Sequence, residues 1–406
     1  MLYVRPDYFE EFKCTADKCE ATCCAGWQIV IDDEALSRYE SESSAYGETL
    51  RNRIDWEEGV FKQDCRKRCA FLKEDNLCDM YEQLGEESLC FTCTNYPRHI
   101  EEFEELREIT LAISCPEVAK IILGQKEPVK FVELEAEGWE SASDRIDEFA
   151  DGFDAVGATG SAGETDEMDE TAEIEDFDPF YFSYLEDARK IMLSILQNRD
   201  LPVAVRTALV QNMAKEMQEI IEDSDLFDLA DVFDRYEEEE NLTTLVSEVQ
   251  QDLNDFYENA EEMFSYDREV FGRLYELEHL SDTWEDYLTQ CRSTLYETGA
   301  QGYQEILKQF AEYCRHAFFD DVSMEIILEQ LLVYFVFTYF CGAVYDDNVT
   351  GRIGMSIDSV HIIYQLIAAK WMEQDGNLSA KDIQQIVYRY SRELEHSDLN
   401  LERMQE

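Results

Sequence analysis

Cysteine is the residue type whose number and spacing carry the clearest chemical signal in this sequence. The chain has thirteen cysteines in 406 residues, and only Cys291, Cys314 and Cys341 lie beyond the first third. Thiolates two to four residues apart can converge on one metal centre, and more distant cysteines can complete the ligand set. The N-terminal cysteines are Cys14, Cys19, Cys23, Cys24, Cys65, Cys69, Cys78, Cys90, Cys93 and Cys115. Their clustering predicts metal binding or redox chemistry.

The expected ligand set consists of sulfur alone, because His99 is the only histidine among these cysteines. An all-sulfur set suits both an iron–sulfur cluster and structural zinc, so spacing leaves the metal open. A site of four thiolates uses fewer ligands than the sequence offers. Either two metal sites or several cysteines without a metal role are therefore expected. Adjacent Cys23 and Cys24 cannot easily bind one ion together, so one of them is expected to stay outside the ligand set.

The N-terminal segment and the longest apolar run indicate the compartment of the protein. The segment Met1–Asp7 is not followed by an apolar stretch, so no secretory signal peptide is predicted. The longest apolar run, residues 331–344, is shorter than a membrane span and suits a buried helix. We therefore expect a cytoplasmic protein whose thiols stay reduced, which disfavours a disulfide framework.

The formal net charge is −58. Such a charge disfavours nucleic acid and anionic membrane as partners, because both bind through Lys and Arg. It favours a cationic partner such as a lysine-bearing protein surface. Solubility, or a salty host cytoplasm, would account for the same charge.

Three segments are predicted to build the molecule, and the fold class is expected to be mainly α. Residues 1–132 form a cysteine-rich metal-binding module with short strands, one at Trp27–Ile31 and one at Ile109–Ile113. Cys115 is expected at the N-cap of a helix that begins at Pro116, where the helix dipole stabilises a thiolate. Residues 133–178 contain 18 acidic residues and one basic residue, which predicts a disordered acidic linker or insert.

Residues 179–406 are predicted to form an α-helical domain of six to nine helices, because apolar residues recur there with helical period. The predicted buried faces include Leu209, Met213, Met217, Ile220 and Ile221; Tyr303, Ile306, Leu307 and Phe310; and Ile383, Ile386, Val387, Tyr390 and Leu394.

Several cysteine motifs resemble those of the bacterial flagellin lysine N-methylase family. The resemblance lies in Cys69–Leu72, in Asn76–Tyr81 and in Leu89–Arg98, which carries Cys90-x-x-Cys93 followed by Tyr96-Pro97. The opening Cys14–Ile29 and the later Ser114–Ala119 resemble the same family. The similarity is close over residues 1–125, whereas the helical remainder matches in general character and length.

The resemblance implies an S-adenosylmethionine-dependent enzyme that methylates lysine side chains on flagellin and carries an iron–sulfur cluster of the 4Fe–4S type. Zinc is the alternative metal. The candidate metal ligands are Cys14, Cys19, Cys23, Cys24, Cys69, Cys78, Cys90, Cys93 and Cys115. A non-catalytic metal-stabilised protein-binding module and a redox module are the competing functions.

Binding of the methyl donor is implied by the resemblance and has no conventional nucleotide motif behind it. The one glycine-rich stretch, residues 157–163, neither follows a predicted strand nor begins a helix. Arg98 is the candidate for holding the donor's carboxylate, with a salt bridge or a surface position as the alternative. A lysine ammonium, with a pKa of about 10.4, must lose a proton before it attacks a methyl group. The 92 acidic residues and 22 tyrosines leave the base unassigned.

Overall fold

A computed structural model describes residues 1–135, 177–223, 225–315 and 321–406. These residues form two compact units. The first consists of Met1–Ile121, residues 130–135 and Ser391–Asp398; the second consists of Ile122–Val129, residues 177–390 and Leu399–Glu406. The acidic segment predicted at residues 133–178 lies almost entirely outside the described residues.

A four-stranded sheet organises one part of the first unit, in the order β4–β5–β1–β6. The strands are β1 (Leu2–Pro6), β4 (Arg98–Phe103), β5 (Leu106–Leu111) and β6 (Phe131–Glu135). The β4–β5 pair is a hairpin in which Phe103 faces Leu106, and β1 runs parallel to β5 and antiparallel to β6. All six residues of β5 are buried, as the central position of this strand requires.

Short elements connect the cysteines of the first unit. They are α1 (Asp33–Ser41), α2 (Gly47–Asn52), β2 (Ile54–Asp55), β3 (Val60–Phe61), α3 (Asp79–Leu84), α4 (Phe91–Asn95) and α5 (Pro116–Leu123). Their shared core contains Ile29, Ile31, Leu50, Phe61 and Phe71, with Cys69 and Cys90 packed among them.

The strand predicted at Trp27–Ile31 is wrong. Only a single bridge forms there, between Val30 and Val60. The burial pattern was nevertheless predicted correctly, because Ile29 and Ile31 are buried while Val30 is exposed. The segment lacks a continuous neighbouring strand, so it alternates in burial without forming a ladder. The second predicted strand is confirmed as β5, which ends at Leu111.

The second unit is helical throughout its described residues, in agreement with the predicted fold class. Its eleven α-helices outnumber the six to nine that were expected. They are α6 (Pro179–Leu196), α7 (Val203–Glu222), α8 (Leu229–Glu237), α9 (Glu239–Glu258), α10 (Ala260–Gly272), α11 (Trp284–Tyr296), α12 (Gly299–Tyr313), α13 (Met324–Tyr339), α14 (Val349–Glu373), α15 (Ala380–Glu395) and α16 (Asp398–Gln405). The last two extend across the boundary between the units.

The predicted helix faces are largely confirmed. All five positions named on α15 are buried, from Ile383 to Leu394, and so are most of those on α7 and α12. Ile220 on α7 and Leu307 on α12 are only half-buried. Both lie at the edge of their apolar stripe, where a single-sequence pattern cannot tell core from rim.

Helix α13 forms the apolar centre of the second unit. The segment Met324–Tyr345 is long and apolar enough to cross a membrane by composition, yet 83 % of that apolar window is buried inside the protein. This burial agrees with the predicted core helix. Glu329 on this helix is fully buried and pairs with Arg206 at 2.7 Å and with Arg199 at 2.8 Å. Two guanidinium groups thus neutralise the one carboxylate that α13 places in the core.

Candidate functional site

The thiols of the first unit fall into two groups. One group consists of Cys24, Cys69, Cys78, Cys90 and Cys93, which all border the same apolar core. Burial raises the pKa of Cys69, and the charges of Cys24, Cys78 and Cys90 raise it further. A hydrogen bond with Cys90 and burial raise the pKa of Cys93, with smaller contributions from the charges of Cys24 and Cys69. We call these five residues the core thiol group.

The other group consists of Cys14, Cys19, Cys23 and Cys115, which we call the outer thiol group. A hydrogen bond with Cys24 and burial raise the pKa of Cys23, and the charge of Cys14 adds a smaller contribution. Burial raises the pKa of Cys115 and of Tyr96; the charge of Cys19 adds to the first, and the charges of Cys115 and Cys23 add to the second. Cys65 is exposed and joins neither group. Of the nine predicted metal ligands, five thus lie in the core thiol group and four in the outer one; their role as ligands stays a prediction.

The adjacent residues Cys23 and Cys24 lie where the two groups meet. A hydrogen bond from the Cys23 thiol lowers the pKa of Cys24 to about 7 and raises that of Cys23. Cys24 belongs to the core thiol group, whereas Cys23 belongs to the outer thiol group. That only one of them serves a given ion stays a prediction.

Backbone N–H groups at the starts of helices face several of these thiols. Cys78 and Cys90 are the N-cap residues of α3 and α4, and Cys115 directly precedes α5. Burial raises the pKa of Cys115 to about 11, against the opposing effect of the Val118 and Glu117 N–H groups. Burial likewise dominates at Cys78 and raises its pKa. The position predicted for Cys115 is thus confirmed, while burial outweighs the stabilisation expected there.

The donor chemistry of both groups fits a sulfur-ligated metal or cluster. Five thiols that border one apolar core are the ligands that an iron–sulfur cluster or zinc takes. Among the described residues, no three His, Cys, Asp or Glu side chains are gathered tightly enough to hold a metal ion. Metal binding by these thiols therefore stays a prediction that rests on the type of ligand.

An arginine and a histidine from the C-terminal segment border the outer thiol group. Arg392 donates hydrogen bonds to the carbonyl oxygens of Ser114 (2.9 Å) and Ala21 (2.5 Å). His396 packs on Trp27, with ring centroids 4.3 Å apart, and its Nε2 lies 3.0 Å from the Ser114 hydroxyl. Burial, helped by the charge of Arg392, lowers the pKa of His396 to about 3, so the ring stays neutral. Sequence reasoning missed both residues, because they lie more than 270 positions from Ser114.

Arg98 lies at the start of β4 and is half-buried. Its Nη1 donates a long hydrogen bond of 3.5 Å to the carbonyl of Asn95, and its guanidinium lies 6.0 Å from the Phe9 ring centroid. The buried Nε has no hydrogen-bond partner within the described residues. Burial lowers the pKa of Arg98. A spare buried donor of this kind suits an anionic ligand group.

The second unit contains an opening of about 740 Å³. Its wall combines apolar side chains with polar ones, among them Ile191, Leu209, Phe233, Asp187, Lys190 and Tyr236. Tyr236 donates a hydrogen bond of 2.9 Å to Glu216, which fixes that part of the wall. The volume lies within the range of sites for small molecules, about 300–1,000 Å³.

A buried polar cluster in the same unit was also missed. Asp267 accepts hydrogen bonds from His361 and Tyr303, and none of these three residues had been predicted to belong to a site. One signal was present: His361 and Gln365 interrupt an otherwise apolar stretch of α14 one turn apart. Polar residues at helical spacing on an apolar helix indicate a buried polar partner.

Comparison with known proteins supports the resemblance found in the cysteine motifs. A family model described as the FliB lysine N-methylase C-terminal domain matches residues 189–406. This match falls on the helical part, where the motifs had indicated only a general likeness. No solved structure matches the chain at a significant level.

Curated relatives match shorter stretches. A flagellar biosynthetic protein FliU from Salmonella muenchen is 28 % identical over 127 residues, which are 29 % of this chain and 75 % of that protein. A lysine-N-methylase from Salmonella typhimurium is 26 % identical over 137 residues, covering 32 % of this chain and 34 % of the relative. The chain thus matches only about a third of that relative's length. Because the family model covers more than half of the chain, this protein belongs to the FliB lysine N-methylase family.

Proposed function

We propose that this protein is a cytoplasmic enzyme that transfers methyl groups from S-adenosylmethionine to lysine side chains of flagellin. The match of residues 189–406 to the lysine N-methylase domain carries this proposal. Two relatives point the same way, since one is named a flagellar biosynthetic protein and the other a lysine-N-methylase. The charge of −58 suits a lysine-bearing partner.

The proposal includes an iron–sulfur cluster held by the first unit. The core thiol group would supply its ligands, because these five side chains border one core and share one electrostatic environment. A bound cluster of this class supplies one-electron chemistry and stabilises the fold that its thiolates join. Zinc would use the same thiols without the redox chemistry. Metal analysis therefore separates an enzyme with a cluster from a metal-stabilised binding module.

The methyl donor has two candidate sites. Arg98 has a buried Nε free to bind the donor's carboxylate, and the opening of about 740 Å³ in the second unit has room for a small molecule. Arg98→Ala removes the first, and Ser194→Trp fills the second from an exposed position on its wall. Calorimetry with S-adenosylmethionine should show weakened binding in one variant and unchanged binding in the other.

The central experiment uses the full chain, purified without oxygen. Iron and acid-labile sulfide are measured, and the protein is then incubated with flagellin and S-adenosylmethionine that carries an isotopically labelled methyl group. We expect labelled methyl groups on flagellin lysines, located by mass spectrometry, and a brown protein. Stoichiometric zinc without sulfide, together with tight flagellin binding and no transfer, would instead establish the non-catalytic binding module.

A further inference from the structure

Asp267 on α10 is a buried carboxylate with an informative set of partners. Its side chain is only 2 % exposed. One oxygen accepts a hydrogen bond from Nε2 of His361 at 2.9 Å, and the other accepts from the Tyr303 hydroxyl at 2.6 Å. Among the described residues no Lys or Arg forms an ion pair with it. A carboxylate ionised in a core needs a positive partner, and His361 is the group that can become one.

His361 on α14 differs from its partner in being accessible. The side chain is 31 % exposed, and Nδ1 has no hydrogen-bond partner in the described part of the chain. An acceptor at Nε2 selects the tautomer that carries its proton there and leaves the Nδ1 lone pair free. Burial lowers the pKa of His361, but the hydrogen bond and charge of Asp267, together with Asp358, outweigh burial and raise it above 6.5. The ring is thus an oriented base whose Nδ1 accepts no hydrogen bond from the described part of the chain.

Four helices hold this pair in place. The Tyr296 hydroxyl on α11 donates to the backbone carbonyl of Asp267 at 2.9 Å, and Gln365, one turn after His361, donates to the same carbonyl at 3.4 Å. Tyr296 and Tyr303 stack with ring centroids 4.9 Å apart. Both oxygens of the carboxylate and the adjacent carbonyl are therefore fixed, which gives the imidazole a single orientation.

The surroundings of His361 suit a primary ammonium group. The Tyr266 ring is 43 % exposed, with its centroid 6.2 Å from that of His361. Asp358 lies one helical turn before His361 and forms an ion pair of 2.7 Å with Arg273. An exposed aromatic face attracts a cation, so the face of Tyr266 beside His361 suits an alkyl ammonium.

We propose that His361 is the general base that takes the proton from the substrate lysine, and that Asp267 is its positioning residue. This assignment rests on the proposed lysine methylation. The lysine ammonium gives one proton to Nδ1 of His361. The lone pair of the deprotonated lysine nitrogen then forms a bond to the methyl carbon of a sulfonium donor. The sulfur–carbon bond breaks, and its electron pair stays on sulfur. His361 afterwards releases the proton to water.

The first arm of the test measures contact with lysine and needs no methyl donor. The full chain is labelled in its histidine rings, of which there are five, and the His361 resonance is assigned through His361→Gln. A short flagellin peptide with one lysine should shift the His361 signal, and the same peptide with acetyl-lysine should leave it in place. If neither peptide shifts the His361 resonance, the proposal is overturned.

The second arm measures methyl transfer to flagellin. His361→Gln should lower kcat by about 10²–10⁴-fold, the usual contribution of a general base, with KM for flagellin little changed. His279→Gln is the matched control, since His279 lies in the same unit and its polar partners among the described residues are the Leu274 carbonyl and Glu285. Added imidazole should restore part of the activity of His361→Ala. Asp267→Asn should move the acidic limb of the pH–rate profile to lower pH, which a purely structural role would not do.

The two arms separate failure of this assignment from failure of the proposed function. If the wild-type protein methylates flagellin and His361→Gln keeps its kcat, the base assignment is overturned and the function stands. If the wild-type protein transfers no methyl group, the proposed function fails. The peptide titration then tests by itself whether a lysine binds at His361. A shift specific to the free lysine then supports an ammonium site at His361, and its absence overturns it.

Discussion

At the scale of single residues, Cys90 and Cys65 are contrasting thiols of the first unit. Cys90 is fully buried and belongs to the core thiol group, whereas Cys65 is exposed and belongs to neither group. We expect Cys90→Ser to lose roughly half or more of the bound metal, because a hard hydroxyl replaces a soft thiolate in a site that couples to folding. Iron and sulfide per chain provide the measurement.

Cys65→Ser is the matched control for this prediction and should retain the metal content of the wild type. The same comparison extends to Cys69, Cys78 and Cys93 of the core thiol group. Wild-type iron content in all four single variants would contradict the assignment of ligands to the core thiol group.

The pair formed by His361 and Asp267 predicts how stability depends on pH. Because the folded-state pKa of His361 is raised above 6.5, the stability gained from this pair is fully present below that value and lost as pH rises through the folded-state pKa. Asp267→Asn should therefore destabilise the protein more at about pH 5.5 than at about pH 8.5. Urea unfolding at the two pH values measures the difference.

Tyr303→Phe supplies the control at this site, since it removes a hydrogen bond to Asp267 and keeps the charge. Its cost should be similar at both pH values. Asp358 also faces His361, so the Asp267→Asn variant should retain a small part of the dependence. An equal cost of Asp267→Asn at acidic and alkaline pH would show that the pair does not ionise as described.

At the scale of secondary-structure elements, one side chain joins two helices of the cysteine-rich unit. Asp32 is the N-cap of α1, where it accepts from the Ala35 N–H at 2.9 Å, and its other oxygen accepts from the Phe91 N–H at 2.7 Å. Phe91 begins α4, whose N-cap is Cys90. Asp32 thus fixes the helix that carries two core thiols.

Asp32→Ala is expected to lower the free energy of unfolding of the first unit by about 1–2 kcal/mol, because it leaves N–H groups of two helices without an acceptor. Asp33→Ala, an exposed neighbour in the same helix, should change it by less than about 0.5 kcal/mol. Urea unfolding monitored by circular dichroism compares the two. Equal effects would mean that Asp32 acts only through its charge.

At the scale of the whole molecule, charge is the property that bears on the partner. The net charge of −58 gives a long-range attraction for a lysine-bearing surface. We expect the association rate with flagellin to fall steeply as salt rises, because the Debye length shortens from about 10 Å at 0.1 M to about 3 Å at 1 M. Biolayer interferometry over a salt series measures this rate, with acetylated flagellin as the control.

Shortening residues 154–173 tests the contribution of the acidic segment to that attraction. The variant should keep its iron content and lose part of the salt dependence, since this segment carries acid without any cysteine. Methyl transfer abolished at every salt concentration would place the segment within the active site.

The sequence by itself determined the features that depend on local pattern and chemical type. Apolar residues at helical spacing predicted a helical second unit, and the faces of α7, α12 and α15 were largely those expected. Alternation marked the buried side of Ile29 and Ile31 but could not supply the neighbouring strand that a ladder needs. The cysteine motifs indicated the family, because short sequence motifs can be recognised without knowledge of the fold.

Tertiary structure alone decided which distant residues meet. It sorted the thiols into two groups, although the spacing of Cys23 and Cys24 had only indicated that they would separate. It brought Arg392 and His396 to Ser114, and His361 to Asp267 across 94 positions. Asp267 is one of 92 acidic residues, and no local sequence pattern distinguishes it, because its role depends on its burial. Burial is set by the helices that pack around it, and their packing is a property of the whole chain.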